Sequence, residues 1–151
     1  MTKKNDLDSA SLHRETEKFN LTEVALTESS CKVGDLRDDE LPTIAKQATK
    51  LSITLTPDAT QGFVIASFNL NVNYKDSSNE APPLLVHAVF RLDYTLSKPI
   101  SKKHLKKAFE QVSASHVWPF WKEFAQSMIV RMGLPPFNVP KLNLSNFRDA
   151  N

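Results

Sequence analysis

The chain has one cysteine, Cys31, three glycines, and no run of apolar residues long enough to span a bilayer. One thiol cannot build an internal disulfide framework, and without a cysteine cluster there is no structural zinc pattern. A reducing, cytoplasmic home is the expectation. Gly34, Gly62 and Gly133 are too scattered for a phosphate-cradling loop. His13, His87, His104 and His116 also stand apart, without the spacing of a helical metal site. Nor does any nucleophile stand in a recognisable pattern with a base, or any carboxylate in a catalytic pair, so an enzyme is not expected and no cofactor or metal is implied. Asp38-Asp39-Glu40 reads as a solvated acidic loop, with a hard-cation site as the sharper alternative. At the N-terminus, Asp8, Ser9, Arg14 and Glu15 occupy the place where a signal peptide needs a continuous apolar stretch.

Charge of one sign is lacking too. Nineteen basic residues oppose 17 acidic ones, for a formal net charge of +2 over 151 residues. The one basic cluster is Lys98, Lys102, Lys103, Lys106 and Lys107. A solvated helix face explains it; a nucleic-acid-binding surface is the alternative from another class, although no nucleic-acid module accompanies it and no such partner is expected.

What is present is periodicity. Residues 1–17 are polar and mixed in charge and read as a flexible arm, followed by a single domain over 18–151. Phe19 to Val33 has strand-like content, but its apolar positions change phase between Phe19/Leu21 and Val24/Leu26, which a β-bulge would reconcile. Gly34 to Gln47 reads as an acidic crossover loop. Three alternating runs follow. Leu51, Ile53 and Leu55 form the first; Phe68, Leu70, Val72 and Tyr74 the second; Leu84, Val86, Ala88, Phe90, Leu92, Tyr94 and Leu96 the third. Thr56-Pro57-Asp58 and Gln61-Gly62 supply turn chemistry between the first two. The runs predict an antiparallel meander covered on one face, the sheet of an α+β fold.

After Pro99 the period becomes helical. Ser101 is a candidate N-cap, and Leu105, Ala108, Phe109 and Val112 share one face. A second helix is predicted from Pro119, a residue suited to a first turn, with Trp121, Phe124, Ala125, Met128, Ile129 and Met132 on its apolar side. Gly133 is placed as its C-terminal cap, and an extended C-terminal segment follows Pro135-Pro136. Trp118 and Phe120 lie off that apolar stripe, so part of this aromatic surface should face a ligand or another subunit. Cys31 lies in the first predicted strand as a small apolar residue or, less simply, a reactive thiol.

Val117-Trp118-Pro119-Phe120-Trp121-Lys122-Glu123-Phe124, with Ser127-Met128, Arg131-Met132-Gly133, Leu134-Pro135-Pro136 and the ending Leu142-Asn143-Leu144-Ser145-Asn146-Phe147, resembles the SecB family of bacterial protein-export chaperones. The resemblance runs from about Phe19 to Phe147. It implies a four-stranded antiparallel sheet followed by two helices, a homotetramer built as a dimer of dimers, and an ATP-independent holdase. Such a protein binds unfolded polypeptides in an apolar groove and keeps them export- or folding-competent. Carried over by position, Trp121, Phe124, Ala125, Met128 and Met132 would line the client groove, with Phe63, Trp118 and Phe137 as further candidates. Leu105, Phe109 and Val112 would hold the oligomer interface, and Glu23 and Glu28 would contact the export motor SecA. A chaperone dedicated to one client, such as an antitoxin, is an alternative of the same fold. Export members are usually strongly acidic, whereas this chain is slightly basic, and they often continue past the Asn-Phe pair into a motor-binding tail. Here Asn146-Phe147 is followed by four residues, so weak or absent SecA binding is expected.

Overall fold

The computed structural model describes residues 18–37, 40–58, 60–75, 83–98, 102–134, 138–141 and 147–149. The expected polar arm, the Ser101 cap, Asp38, Asp39 and Phe137 lie outside the described residues. In chain order the elements are β1 (Phe19–Val33), β2 (Ile44–Leu55), β3 (Gln61–Asn73), β4 (Leu84–Leu96), α1 (Lys102–Arg131) and β5 (Phe147–Asp149). The sheet order is β1-β4-β3-β2-β5. Strands β2, β3 and β4 form an antiparallel meander, β1 pairs antiparallel with β4, and β5 adds a short parallel pairing to β2. The segment between β1 and β2 therefore crosses from one side of the sheet to the other.

Alternation in the sequence becomes two faces in space. Val64, Ala66, Phe68, Leu70 and Val72 of β3, with Leu84, Val86, Ala88, Phe90, Leu92 and Tyr94 of β4, are buried in one core with α1. Their neighbours in sequence, among them Phe63, Ile65, His87, Val89 and Arg91, form the open face and are half-buried. The phase change in β1 is two bulges, at Leu21/Glu23 and Leu26/Glu28. The skipped residues are Thr22 and Thr27. Each hydroxyl donates to the carbonyl opposite, Thr22 to Asp93 at 3.0 Å and Thr27 to Val89 at 3.1 Å. A bulge leaves ladder groups without backbone partners, and here the side chain of the extra residue satisfies one of them.

The turn between β2 and β3 is shorter than the sequence suggested. Thr56 Oγ1 donates to Asp58 Oδ1 at 2.7 Å and Thr56 N–H to the Gln61 carbonyl at 2.9 Å, so Gln61 and Gly62 already belong to β3. A Cβ on Gly62 would meet Leu55 Cδ2 at 2.7 Å, the Thr54 carbonyl oxygen at 2.9 Å and Phe109 Cζ at 3.3 Å. Only the first of these can swing away cheaply. Gly62→Ala is expected to cost about 1–3 kcal/mol, as overpacking of a filled core does. Thermal unfolding followed by circular dichroism checks this, and an unchanged midpoint would show that the strand edge yields.

The two predicted helices are one. α1 runs through Pro119 for 30 residues. The expected break rested on Pro119, read as a first-turn residue. Phe109, Ser113, Val117, Trp121, Ala125 and Ile129, every fourth residue, are all fully buried. A spacing of four overshoots one turn by about 40°, so the buried row winds around the helix as it crosses the sheet. It reads as two stripes although it is one. Pro119 falls between those positions and is exposed, so the hydrogen bond it removes is lost where water can replace it. The helix ends at Gly133, whose φ is 78°. Gly133 N–H donates to the Val130 carbonyl at 3.0 Å and Leu134 N–H to that of Ile129 at 3.2 Å, the paired bonds of a left-handed glycine cap. No helix among the described residues is long and apolar enough to cross a membrane.

Candidate functional site

Residues 138–141 return alongside α1 and are tied in by Gln47 of β2. The Trp121 indole N–H donates to Gln47 Oε1 at 2.7 Å, and Gln47 Nε2 donates to the Pro140 carbonyl at 3.4 Å. Val139 is buried in the main core. Between this segment and the helix lies an open cavity of about 790 Å³ lined by Gln111, Ala114, Ser115, Trp118 and Lys122 on one side and by Asn138, Val139, Pro140 and Lys141 on the other. Its lining is mainly apolar, with no carboxylate among the described residues. The helical wall follows from one continuous helix: 111, 114, 118 and 122 are spaced by three or four, the repeat of one face.

The sequence-derived client residues do not form a single surface. Trp121 and Ala125 are fully buried, Trp121 stacked on Phe68 at 4.8 Å between ring centroids, so neither offers area to a ligand in this conformation. Phe124, Met128 and Met132 are half-buried and pack on the core along a different helix flank. Phe124 meets Phe90 edge-on at 6.5 Å, and Phe90 is paired across the sheet with the exposed Leu26 of β1. Trp118 lines the cavity. Phe63 lies on the opposite, open face of the sheet, 4.0 Å beneath the Arg91 guanidinium, and is not brought near the others.

Of the expected interface residues, Phe109 is wholly buried against Phe19 and Tyr94, and Val112 is nearly so. Only Leu105 keeps partial exposure. Glu23 and Glu28 are exposed on β1, and Glu28 lies 3.3 Å from His87 Nε2. Phe120, off the apolar stripe of α1, is exposed, and Val130 of α1 with Leu36 and Leu41 of the crossover segment add apolar surface that periodicity did not single out.

Among the described residues the titratable groups show no catalytic arrangement. Burial pushes the Cys31 thiol above its ordinary value, which disfavours the thiolate and fits the reading as a packed apolar residue. Among the described residues no cluster of histidine, cysteine and carboxylate side chains can hold a metal ion. Burial also raises the Tyr94 phenol and lowers His116, whose Nδ1 lies 3.0 Å from the Tyr94 hydroxyl. A histidine held below its unfolded value of 6.5 does not alter stability above that pH, and it lowers stability as pH falls below it. Urea unfolding at pH 7.5 and 5.5 should show a loss at the lower pH that His116→Phe reduces; an equal loss in the variant would assign it elsewhere.

Comparison with known proteins gives likeness in shape but not in sequence. No protein-family model matches the chain, and no curated protein matches it. The Mycobacterium tuberculosis SecB-like chaperone Rv1957, solved in complex with a ChAD peptide from the Rv1956 HigA1 antitoxin, superposes with a TM-score of 0.73 at 12% identity, covering 89% of this chain and 97% of that one. A Streptococcus agalactiae protein of unknown function gives a TM-score of 0.41 at 8% identity, covering 81% of this chain and 96% of that one.

Proposed function

On this SecB-like fold, we propose that the chain is a chaperone that binds non-native polypeptide segments in extended form, without ATP, in the groove between α1 and residues 138–141. The observation that carries the reading is the groove itself: an open trough of about 790 Å³ with apolar walls and Trp118 in its lining. Aromatic and aliphatic walls supply binding area without demanding one hydrogen-bond pattern, which suits a site that must accept many sequences. A segment burying apolar area gains roughly 25 cal/mol per Å², and ordering its backbone offsets much of that. Tight holding therefore needs several grooves engaged by one client chain, and a homotetramer would supply them by raising effective concentration.

Further partly exposed apolar area lies on another flank of α1 and at its end, at Phe124, Met128 and Met132. Folded proteins escape capture because their apolar segments are already buried. The test is suppression of aggregation of a denatured model protein, with binding of a fluorescent unfolded protein measured in parallel. Suppression near one groove-equivalent per client segment is expected; aggregation unaffected by excess chaperone would sink the reading. A dedicated role is the second reading, favoured by the antitoxin peptide held by the mycobacterial SecB-like chaperone. A panel of unrelated unfolded proteins separates the two, because a dedicated chaperone should protect few of them.

A further inference from the structure

The groove is apolar along its walls, but among the described residues its charge is of one sign. Lys122 stands on the helical wall and Lys141 on the opposing segment, and both are exposed. Lys107, also exposed, lies four residues before Gln111 and so continues the 111, 114, 118, 122 row by one turn. The two carboxylates of α1, Glu110 and Glu123, are not among the groove's lining residues. An occupant that carries lysine or arginine at these places meets repulsion, and one that carries carboxylates meets attraction in a partly desolvated trough.

Resting on the client-binding reading above, we propose that the groove selects extended segments with an apolar centre bracketed by acidic side chains. The helix geometry sets the spacing. Lys107 and Lys122 are separated by about 22 Å along the axis at 1.5 Å per residue. An extended chain covers that distance in roughly seven residues at about 3.3 Å each. The apolar centre then lies against Ala114 and Trp118, and the acidic ends reach Lys107 at one end and Lys122 with Lys141 at the other.

The experiment uses the full chain and three fluorescent peptides that share one apolar centre and differ only in the two residues bracketing it, about seven positions apart: Asp at both, Asn at both, or Lys at both. Fluorescence anisotropy should place the Asp peptide about tenfold tighter than the Asn peptide and the Lys peptide weakest. The preference should fade towards 1 M salt, where screening acts within about 3 Å. The double variant K122E/K141E should weaken the Asp peptide and tighten the Lys peptide. Both side chains are exposed, so the fold should survive, and K122Q/K141Q gives a second reading by narrowing the spread of the three affinities to the preference that Lys107 alone supplies.

Equal affinities in the unaltered chain would overturn the proposal, as would relative affinities unmoved by either double variant. If no peptide binds, the client reading falls and this proposal with it. Capture of a labelled single-stranded oligonucleotide in preference to every peptide would assign the lysines to nucleic acid and likewise overturn it.

Discussion

Replacing Phe109 with aspartate is expected to unfold the chain. The ring is fully buried, with its centroid 4.3 Å from that of Phe19 and 6.0 Å from that of Tyr94. Truncating such a ring costs about 3–5 kcal/mol. A carboxylate in the same place has no partner and adds a desolvation penalty of several kcal/mol more, against a total stability of about 5–15 kcal/mol. The family resemblance places Phe109 at a contact between subunits, and on that reading the variant would give folded dimers. The two outcomes separate cleanly: ultracentrifugation beside far-ultraviolet circular dichroism should show loss of structure, whereas folded, smaller particles would restore the interface role. Phe109→Leu should keep the fold.

The second large effect divides two neighbouring tryptophans. Trp121→Ala is expected to lose about 3–5 kcal/mol of stability, because it empties the space stacked on Phe68 and leaves Gln47 Oε1 without its donor. The loss of that bond should also loosen residues 138–141, which Gln47 holds through the Pro140 carbonyl. Trp118→Ala is expected to leave the melting temperature within a few degrees and to weaken binding of an unfolded protein on the order of tenfold to thirtyfold. That is the effect of truncating one aromatic anchor in a binding surface. Melting curves and binding isotherms on both variants check the division. If Trp118→Ala lowers the melting temperature strongly and leaves binding intact, Trp118 is core and the groove is not the client site.

Much of the fold was legible because strand alternation and surface burial are the same fact seen twice. Phe68, Leu70 and Val72, and the row from Leu84 to Tyr94, were assigned to one face from their period alone and are buried on that face. The phase change in β1 was equally readable, since a bulge must shift every later side chain to the other side. The helices were not. A row at spacing four crosses a twisted sheet obliquely, and a fixed period of 3.6 cuts it into two stripes at the point where Pro119 also stands. Reading α1 as one helix would have aligned Gln111, Ala114, Trp118 and Lys122. That row is the signal that could have found the groove's helical wall.

Its other wall had no such signal. Residues 138–141 carry no periodicity that places them beside α1, and their position depends on Gln47, far away in the chain. By itself the sequence determined the strand faces, the bulged first strand and the glycine cap at 133, because each depends on residues close along the chain. Only the tertiary structure decided which aromatic residues are core and which line a surface. Trp118 and Trp121 are equally apolar and three residues apart; what covers one and leaves the other partly open is the oblique crossing of α1 over the sheet, a long-range packing that no local pattern encodes.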